Sequence, residues 1–257
     1  MSMSLPRRYI TSIFGWGKNV IKKHTPHPVK TRLLKWALSN SMEIALMRLK
    51  KNGFYPSAIL DIGAYEGEWS RLASKVWSGT TVWMFEAQKE KKVILEKVVG
   101  DLQNVKFTNA LLGSQDKEDV TFYVMETGSS IYAEQTSAPR KSIKSKMQKL
   151  DTIIEMHRFA LGGNLLIKID VQGAELDVIR GAAATLIGCE FLLLECSVVE
   201  YNERAPLLLD TLKELHELGY VPYDIASIMR LPSGELSQLD VLFCRSNSKY
   251  RPTGRLW

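Results

Sequence analysis

Asp61, Glu86 and Asp170 each close a short apolar run: Ala58-Ile59-Leu60, Thr81–Phe85 and Leu165–Ile169. If these runs are strands of one open α/β sheet, their carboxyl ends form the crevice where such sheets bind ligands. A carboxylate there accepts hydrogen bonds when ionised and takes up a proton when it acts as a base. Asp61 is followed by Ile62-Gly63-Ala64-Tyr65-Glu66-Gly67. Glycine lets a backbone turn tightly and approach a ligand with no Cβ in the way. A nicotinamide site would ask for GxGxxG, so that a pyrophosphate rests on the helix N-terminus. This sequence lacks both that spacing and the middle glycine. An acidic strand end followed by bare backbone amides suits a zwitterion with an amino group, a carboxylate and no phosphate.

Glu86 lies 25 positions after Asp61. An acid at the second strand tip, about 20 residues on, can accept both hydroxyls of a ribose. Its plainer role is to open the helix expected over 88–101. Together the two tips point to S-adenosylmethionine. The third tip lies in Leu165-Leu166-Ile167-Lys168-Ile169-Asp170-Val171-Gln172-Gly173-Ala174-Glu175, where Gly173 opens a helix with Glu175 in its first turn. Lys168 shares a strand face with Asp170. A lysine in a central strand is costly unless paired, so a salt bridge to a nearby acid is its simplest role. Tuning Asp170 or positioning a substrate oxygen is the sharper one. Methyl transfer to an alcohol needs the hydroxyl proton removed, and a base contributes roughly 10²–10⁴-fold. Asp170 is the first candidate base and Glu175 the second. Asp170 with Glu195, at the tip of the fifth strand, is the pair that would hold Mg²⁺ if a metal took part; the metal-free route is preferred. Glu195 and Ser130, the latter in Gly128-Ser129-Ser130-Ile131-Tyr132, are the candidate substrate contacts.

The elements that must carry these residues follow from periodicity. Apolar runs at Ala58–Ile62, Thr81–Phe85, Val105–Leu112, Leu165–Ile169, Phe191–Leu194, Tyr220–Ile225 and Val241–Cys244 alternate with amphipathic stretches at 66–77, 88–101, 173–187 and 206–218. Alternation of this kind marks βα units and a parallel sheet. Leu231-Pro232-Ser233-Gly234-Glu235-Leu236 reads as a hairpin turn, which makes the last strand antiparallel to its neighbour. The expected fold is α/β: a Rossmann-like, seven-stranded, mostly parallel sheet with the last strand reversed, the class I methyltransferase sheet, plus an N-terminal helical extension. A strand-rich insertion is expected over 119–132. Residues 136–149, with five basic residues and no acid, read as a surface loop. A helix is expected over 30–52, stopped by Gly53. Residues 1–55 then form a basic extension, and 56–257 the methyltransferase domain.

Taken in order, these blocks resemble the FkbM-type methyltransferases, whose pattern at the fourth strand is close to LLKIDVEGAE. The resemblance spans about residues 57–245 and includes Asp61–Gly67, Glu86, Asn109-Ala110-Leu111-Leu112-Gly113, Gly128–Ile131, Lys149-Leu150-Asp151-Thr152, IKIDVQGAE and Asp240–Phe243. It implies a cofactor pocket built from Asp61, Gly63, Ala64, Tyr65, Gly67, Glu86, Asn109, Ala110 and Asp170. It also implies O-methylation of a sugar, polyketide or related hydroxylated compound. Tyr65 stands where asparagine is usual, and Gln172 where glutamate is usual. The second change removes an acid and weakens any scheme that needs a dense carboxylate cluster.

With 257 residues, 45% hydrophobic and 24% charged, the chain can bury a core without disulfides. Cys189, Cys196 and Cys244 lie in apolar runs with no CxxC spacing and read as reduced core residues of a cytoplasmic protein. The net charge of +6 is uneven: residues 1–42 hold eight basic residues and no acid. That asymmetry suggests an anionic partner, such as the inner membrane face, through residues 1–42. A solvated tail and a homo-oligomer contact are the plainer readings. No stretch approaches the 18 apolar residues of a membrane span. Nucleic-acid or protein methylation is the competing activity. The fourth strand ends in Asp-Val-Gln-Gly, not in the Asn/Asp-Pro-Pro-aromatic sequence of base amino-group methylases, and no RNA-binding module is attached. Nucleic acid is therefore not the expected partner. A cofactor-fold protein without catalysis is the remaining alternative.

Overall fold

Unbroken apolar runs with no polar alternation belong to strands covered on both faces. The structure, a computed structural model, describes residues 41–135 and 140–252. Helix α1 (Met42–Lys51) leads into β1 (Ala58–Ile62), α2 (Glu68–Val76) and β2 (Thr81–Glu86). Then come α3 (Lys92–Asp101), β3 (Val105–Asn109), β4 (Leu111–Leu112), β5 (Lys117–Val124) and β6 (Lys141–Gln148). Helix α4 (Leu150–His157) precedes β7 (Leu165–Ile169), α5 (Glu175–Arg180), α6 (Ala183–Ile187) and β8 (Cys189–Ser197). Helix α7 (Leu208–Glu217) and the long hairpin of β9 (Tyr220–Arg230) and β10 (Leu236–Arg245) complete the described chain.

Seven strands form one sheet in the order β3-β2-β1-β7-β8-β10-β9. Neighbours are parallel except that β10 runs antiparallel to both β8 and β9. This is the expected sheet, with the hairpin reversing the last strand. Alternate residues of each strand feed two core layers. Ala58, Leu60 and Ile62 pack with Leu150, Val178, Leu186 and Leu215 from α4–α7. Ile59 packs on the other face with Leu46, Leu49, Ala73, Leu95 and Val98 from α1–α3. In α1, Ala45, Leu46 and Leu49 are buried, and each leucine contributes roughly 1.5–3 kcal/mol. The earlier part of the helix expected over 30–52 lies outside the described residues.

Three elements differ from the sequence expectation. The surface loop expected over 136–149 is largely strand: β6 pairs antiparallel with β5 and parallel with β4, making a second, three-stranded sheet. Its lysines hid the pattern, because Lys144 and Lys146 stand on the solvent face while Met147 is buried. The helix expected over 173–187 is two helices. The break falls at Gly181, where a Cβ would overlap the Gly113 carbonyl. The Asp151 carboxylate then caps α6, accepting from Ala184 N, Thr185 N and the Thr185 hydroxyl. The apolar run at Val105–Leu112 divides between β3 and β4, which lie in different sheets. All three cysteines are buried and free. Among the described residues, no helix is long and apolar enough to cross a membrane.

Candidate active site

The tips of β1, β2 and β7 lie side by side, since β1 pairs with both other strands. Gly63 (φ +75°) turns the chain directly after β1, and a Cβ there would overlap the Asp170 carbonyl. Only glycine permits this approach of the β1 and β7 exits.

Lys168 is the electrostatic hub beneath the site. Its Nζ lies 3.2 Å from Asp61 Oδ1 and 3.3 Å from Asp170 Oδ2, and it donates to Gly63 O at 3.1 Å. The Gly63 carbonyl takes a hydrogen bond, and the two carboxylates pair with the charge. Burial alone would lower the Lys168 pKa, but Asp61 and Asp170 outweigh it and hold the ammonium above its usual range. The simplest role read from sequence, a salt bridge, is therefore made twice over. Asp61 itself is fully buried, and its Oδ2 accepts from Ser70 Oγ at 2.6 Å. It has no surface to offer a ligand and acts through Lys168. The bare amides expected after it are also in use: Gly63 N and Ala64 N donate to Phe85 O, Gly67 N to Ala64 O, and Tyr65 N to Glu86.

Glu86 is buried at the tip of β2. Its Oε2 accepts from Tyr65 N and its Oε1 from Gln88 N, both at 2.8 Å. Burial raises its pKa, against the pull of these two amides. An ionised carboxylate has about four acceptor positions, so capacity remains for a vicinal diol. The carbonyl of Glu86 takes Asn109 Nδ2 at 2.7 Å and Ala110 N at 3.0 Å, which locks the end of β3 beside it. These residues fit the ribose end of S-adenosylmethionine.

Tyr65 adopts a left-handed backbone (φ +49°), which asparagine tolerates better than tyrosine. Contacts invisible in sequence hold it there. Its hydroxyl donates to Glu126 Oε2 at 2.7 Å, and Lys91 Nζ sits 3.9 Å above its ring while pairing with Glu66 at 3.1 Å.

On the other side of β1, Asp170 keeps a third of its side chain exposed. Gln172 Nε2 donates to Asp170 Oδ1 and to Glu195 Oε1, each at 3.0 Å. Gln238 Nε2 gives Glu195 Oε1 a second bond at 2.7 Å. Glu195 stands inside β8, which runs on to Ser197, and faces Asp240 across the ladder. Burial, then Asp170, Glu175 and Asp240, raise the Glu195 pKa well above the usual carboxylate range. It is bonded to amides, not to Lys168.

Glu175 is buried, and its Oε1 accepts from Val171 N and Gly173 N. Burial pushes its pKa up to about 7, against those amides. It braces the β7–α5 turn through Oε1. Ser130, expected to meet substrate hydroxyls, is buried too: its Oγ donates to Gln172 O at 2.7 Å. It ties the second sheet to the turn after β7. Among the described residues no group of three His, Cys, Asp or Glu side chains is disposed to hold a metal ion. Lys91, Glu126 and Gln238 carried no sequence signal, because each acts through a neighbour distant in the chain.

The sequence profile of the methyltransferase FkbM domain matches residues 61–222. No curated protein sequence matches the chain. Solved structures similar in fold include the magnesium protoporphyrin IX methyltransferase of Synechocystis PCC 6803 with bound SAM, 12% identical, covering 96% of this chain and 100% of that one, with a TM-score of 0.45. TrmK of M. capricolum, in complex with S-adenosyl-homocysteine, is 9% identical and covers 83% and 71%, with a TM-score of 0.47. The precorrin-6y C5,15-methyltransferase of Geobacter metallireducens GS-15 is 14% identical and covers 79% and 85%, with a TM-score of 0.41.

Proposed function

Because the chain belongs to the FkbM methyltransferase family, and so uses S-adenosylmethionine, we propose that it methylates a hydroxyl oxygen of a sugar-like or other small polar acceptor. The observation that carries the hydroxyl reading is Asp170: a partly exposed carboxylate at the β7 tip, fixed by Lys168 on one oxygen and Gln172 on the other. Each of its oxygens keeps a free lone pair for an acceptor proton.

Glu86, with Asn109 and Ala110 bracing it, would hold the ribose hydroxyls, and the Gly63–Gly67 turn would border the amino-acid end. Bound S-adenosylmethionine supplies a methyl group already activated by its sulfonium. What is left to the protein is aim and proton removal. Asp170 accepts the acceptor hydroxyl's proton, and Lys168 and Gln172 keep that carboxylate from rotating away. Glu175 supports the turn that carries Asp170 and is a positioning residue. Mg²⁺ is not required, since Lys168 and Gln172 already neutralise or bridge the acids that a cation would bind.

The basic segment 1–42, whose first 40 residues lie outside the described residues, bears on localisation. We propose that it keeps the enzyme beside an anionic, lipid-linked or glycan acceptor at the cytoplasmic membrane face. The charge pattern supports this: Ile10, Ile13, Phe14, Trp16, Val20 and Ile21 interleave with the basic residues.

The test is a labelled-methyl transfer assay against glycans and nucleotide sugars from the host, read by mass spectrometry with and without a chelator. Label on a hydroxyl oxygen, unchanged by chelator, is the expected result. Label confined to nucleic-acid bases or protein amines overturns the hydroxyl reading, and activity that chelator removes and Mg²⁺ restores overturns the metal-free one.

A further inference from the structure

The Gln172 amide lies between two carboxyl groups, those of Asp170 and Glu195. Both of its N–H groups are used, one on Asp170 and one on Glu195, at equal 3.0 Å distances. Its backbone is left-handed, with φ +56°, a conformation that a residue with a Cβ keeps only where its surroundings over-determine it. Here they do: its carbonyl accepts from Ser130 Oγ at 2.7 Å and from Asn202 Nδ2 at 2.6 Å. Two hydrogen bonds onto its carbonyl and two from its amide therefore fix this residue. The carboxylates around it come from every element packed there: Asp170 on β7, Glu175 on α5, Glu195 on β8 and Asp240 on β10, with Asp61 on β1 reached through Lys168. Lys168 balances Asp61 and Asp170, and Ser227 serves Asp240. The Asp170–Glu195 gap is spanned by Gln172.

We propose that Gln172 is a positioning residue for methyl transfer, whose amide clamps Asp170 to Glu195 as a divalent cation would and so holds Asp170 toward the acceptor without a metal. The proposal rests on the reading of Asp170 as the proton acceptor. In this light the change from the usual glutamate is a gain of a donor. A carboxyl group at this position would add a third acid and leave no amide to bridge the other two.

The test compares wild type, Q172L and Q172E in thermal unfolding from about pH 5 to about pH 8, with methyl-donor binding measured by calorimetry. Without the clamp, Glu195 keeps only the Gln238 amide while Asp170 still faces it, so its already raised folded pKa rises further and stability falls as pH rises. The melting deficit of Q172L should therefore widen by at least about 3 °C across that range. Q172E, nearly isosteric, should widen more, and D170N added to Q172L should abolish the widening. A deficit equal at every pH for both variants means that Gln172 only fills space, and overturns the proposal. S-adenosylmethionine binding by Q172L should stay within about 3-fold of wild type. A parallel loss would make Gln172 part of the cofactor pocket and overturn it as well. If wild type itself binds no S-adenosylmethionine, the methyltransferase reading fails, whatever the pH series shows.

Discussion

Replacing Lys168 by methionine keeps the length and most of the packing of the side chain and removes its charge. The ammonium it deletes lies 3.2 Å from Asp61 and 3.3 Å from Asp170, with 9% of the lysine side chain and none of the Asp61 side chain exposed. Asp61 retains the Ser70 hydroxyl, but its charge is left buried and unbalanced. Removing one partner of a buried pair costs about 3–5 kcal/mol. A chain of this size loses roughly 2–4 °C of melting temperature per kcal/mol, so Lys168→Met should melt about 6–20 °C lower. The pH dependence carries a sign. A lysine whose folded pKa is raised contributes fully below its unfolded value of about 10.4 and loses that contribution only as pH climbs through the higher folded value. On the lysine's account the gap to wild type should thus be flat from about pH 6 to about pH 9. Adding Asp61→Asn removes the stranded charge, so the double variant should be more stable than the two single losses predict, by about 1–3 kcal/mol. Urea unfolding followed by circular dichroism measures all four proteins. A loss below about 1 kcal/mol, the value of an exposed pair, or strict additivity in the cycle, would refute the hub.

Glu86→Ala should weaken S-adenosylmethionine binding about 10- to 100-fold, the worth of charged hydrogen bonds of roughly 1.5–3 kcal/mol, as calorimetry will read; undiminished binding would remove the ribose from β2. Glu175, with a folded pKa of about 7 against 4.5 unfolded, loses stability to the fold as pH rises between those values. Glu175→Gln keeps an oxygen for Val171 N and Gly173 N, so it should gain on wild type in melting temperature from about pH 5 to about pH 8; a constant difference would contradict the buried charge. Deleting residues 1–28 should leave cofactor affinity unchanged and reduce co-sedimentation with anionic vesicles at low salt. Full-length protein that ignores such vesicles would refute the membrane role.

The sheet was legible in the sequence because strands buried on both faces show as unbroken apolar runs, and β1 and β7 fall where those runs end. Asp61, Glu86, Lys168 and Asp170 were legible for the same reason: a strand tip fixes an address. What sequence misjudged was direction and company. Asp61 and Ser130 were expected to face ligands and are buried in hydrogen bonds. Gln172 read as an acid lost, and its use as a double donor depends on Glu195, 23 positions away. Strand β6 was hidden because its solvent face is lysine, which composition assigns to loops. Tyr65 read as a departure from the usual asparagine within the cofactor pocket, and its partners Lys91 and Glu126 reach it only in the folded chain.

The strained turn at Gln172 also depends on segments far from it in the chain. Its carbonyl is locked by Ser130, 42 positions earlier, and Asn202, 30 positions later. Neither lock exists until the second sheet has docked on one side and the segment after β8 on the other. Both contacts close loops of 30 to 42 residues, shorter than the loop closed when β1 pairs with β7. A chain that ended before Asn202 would keep the Ser130 lock and lose the other, leaving the left-handed backbone of Gln172 less constrained.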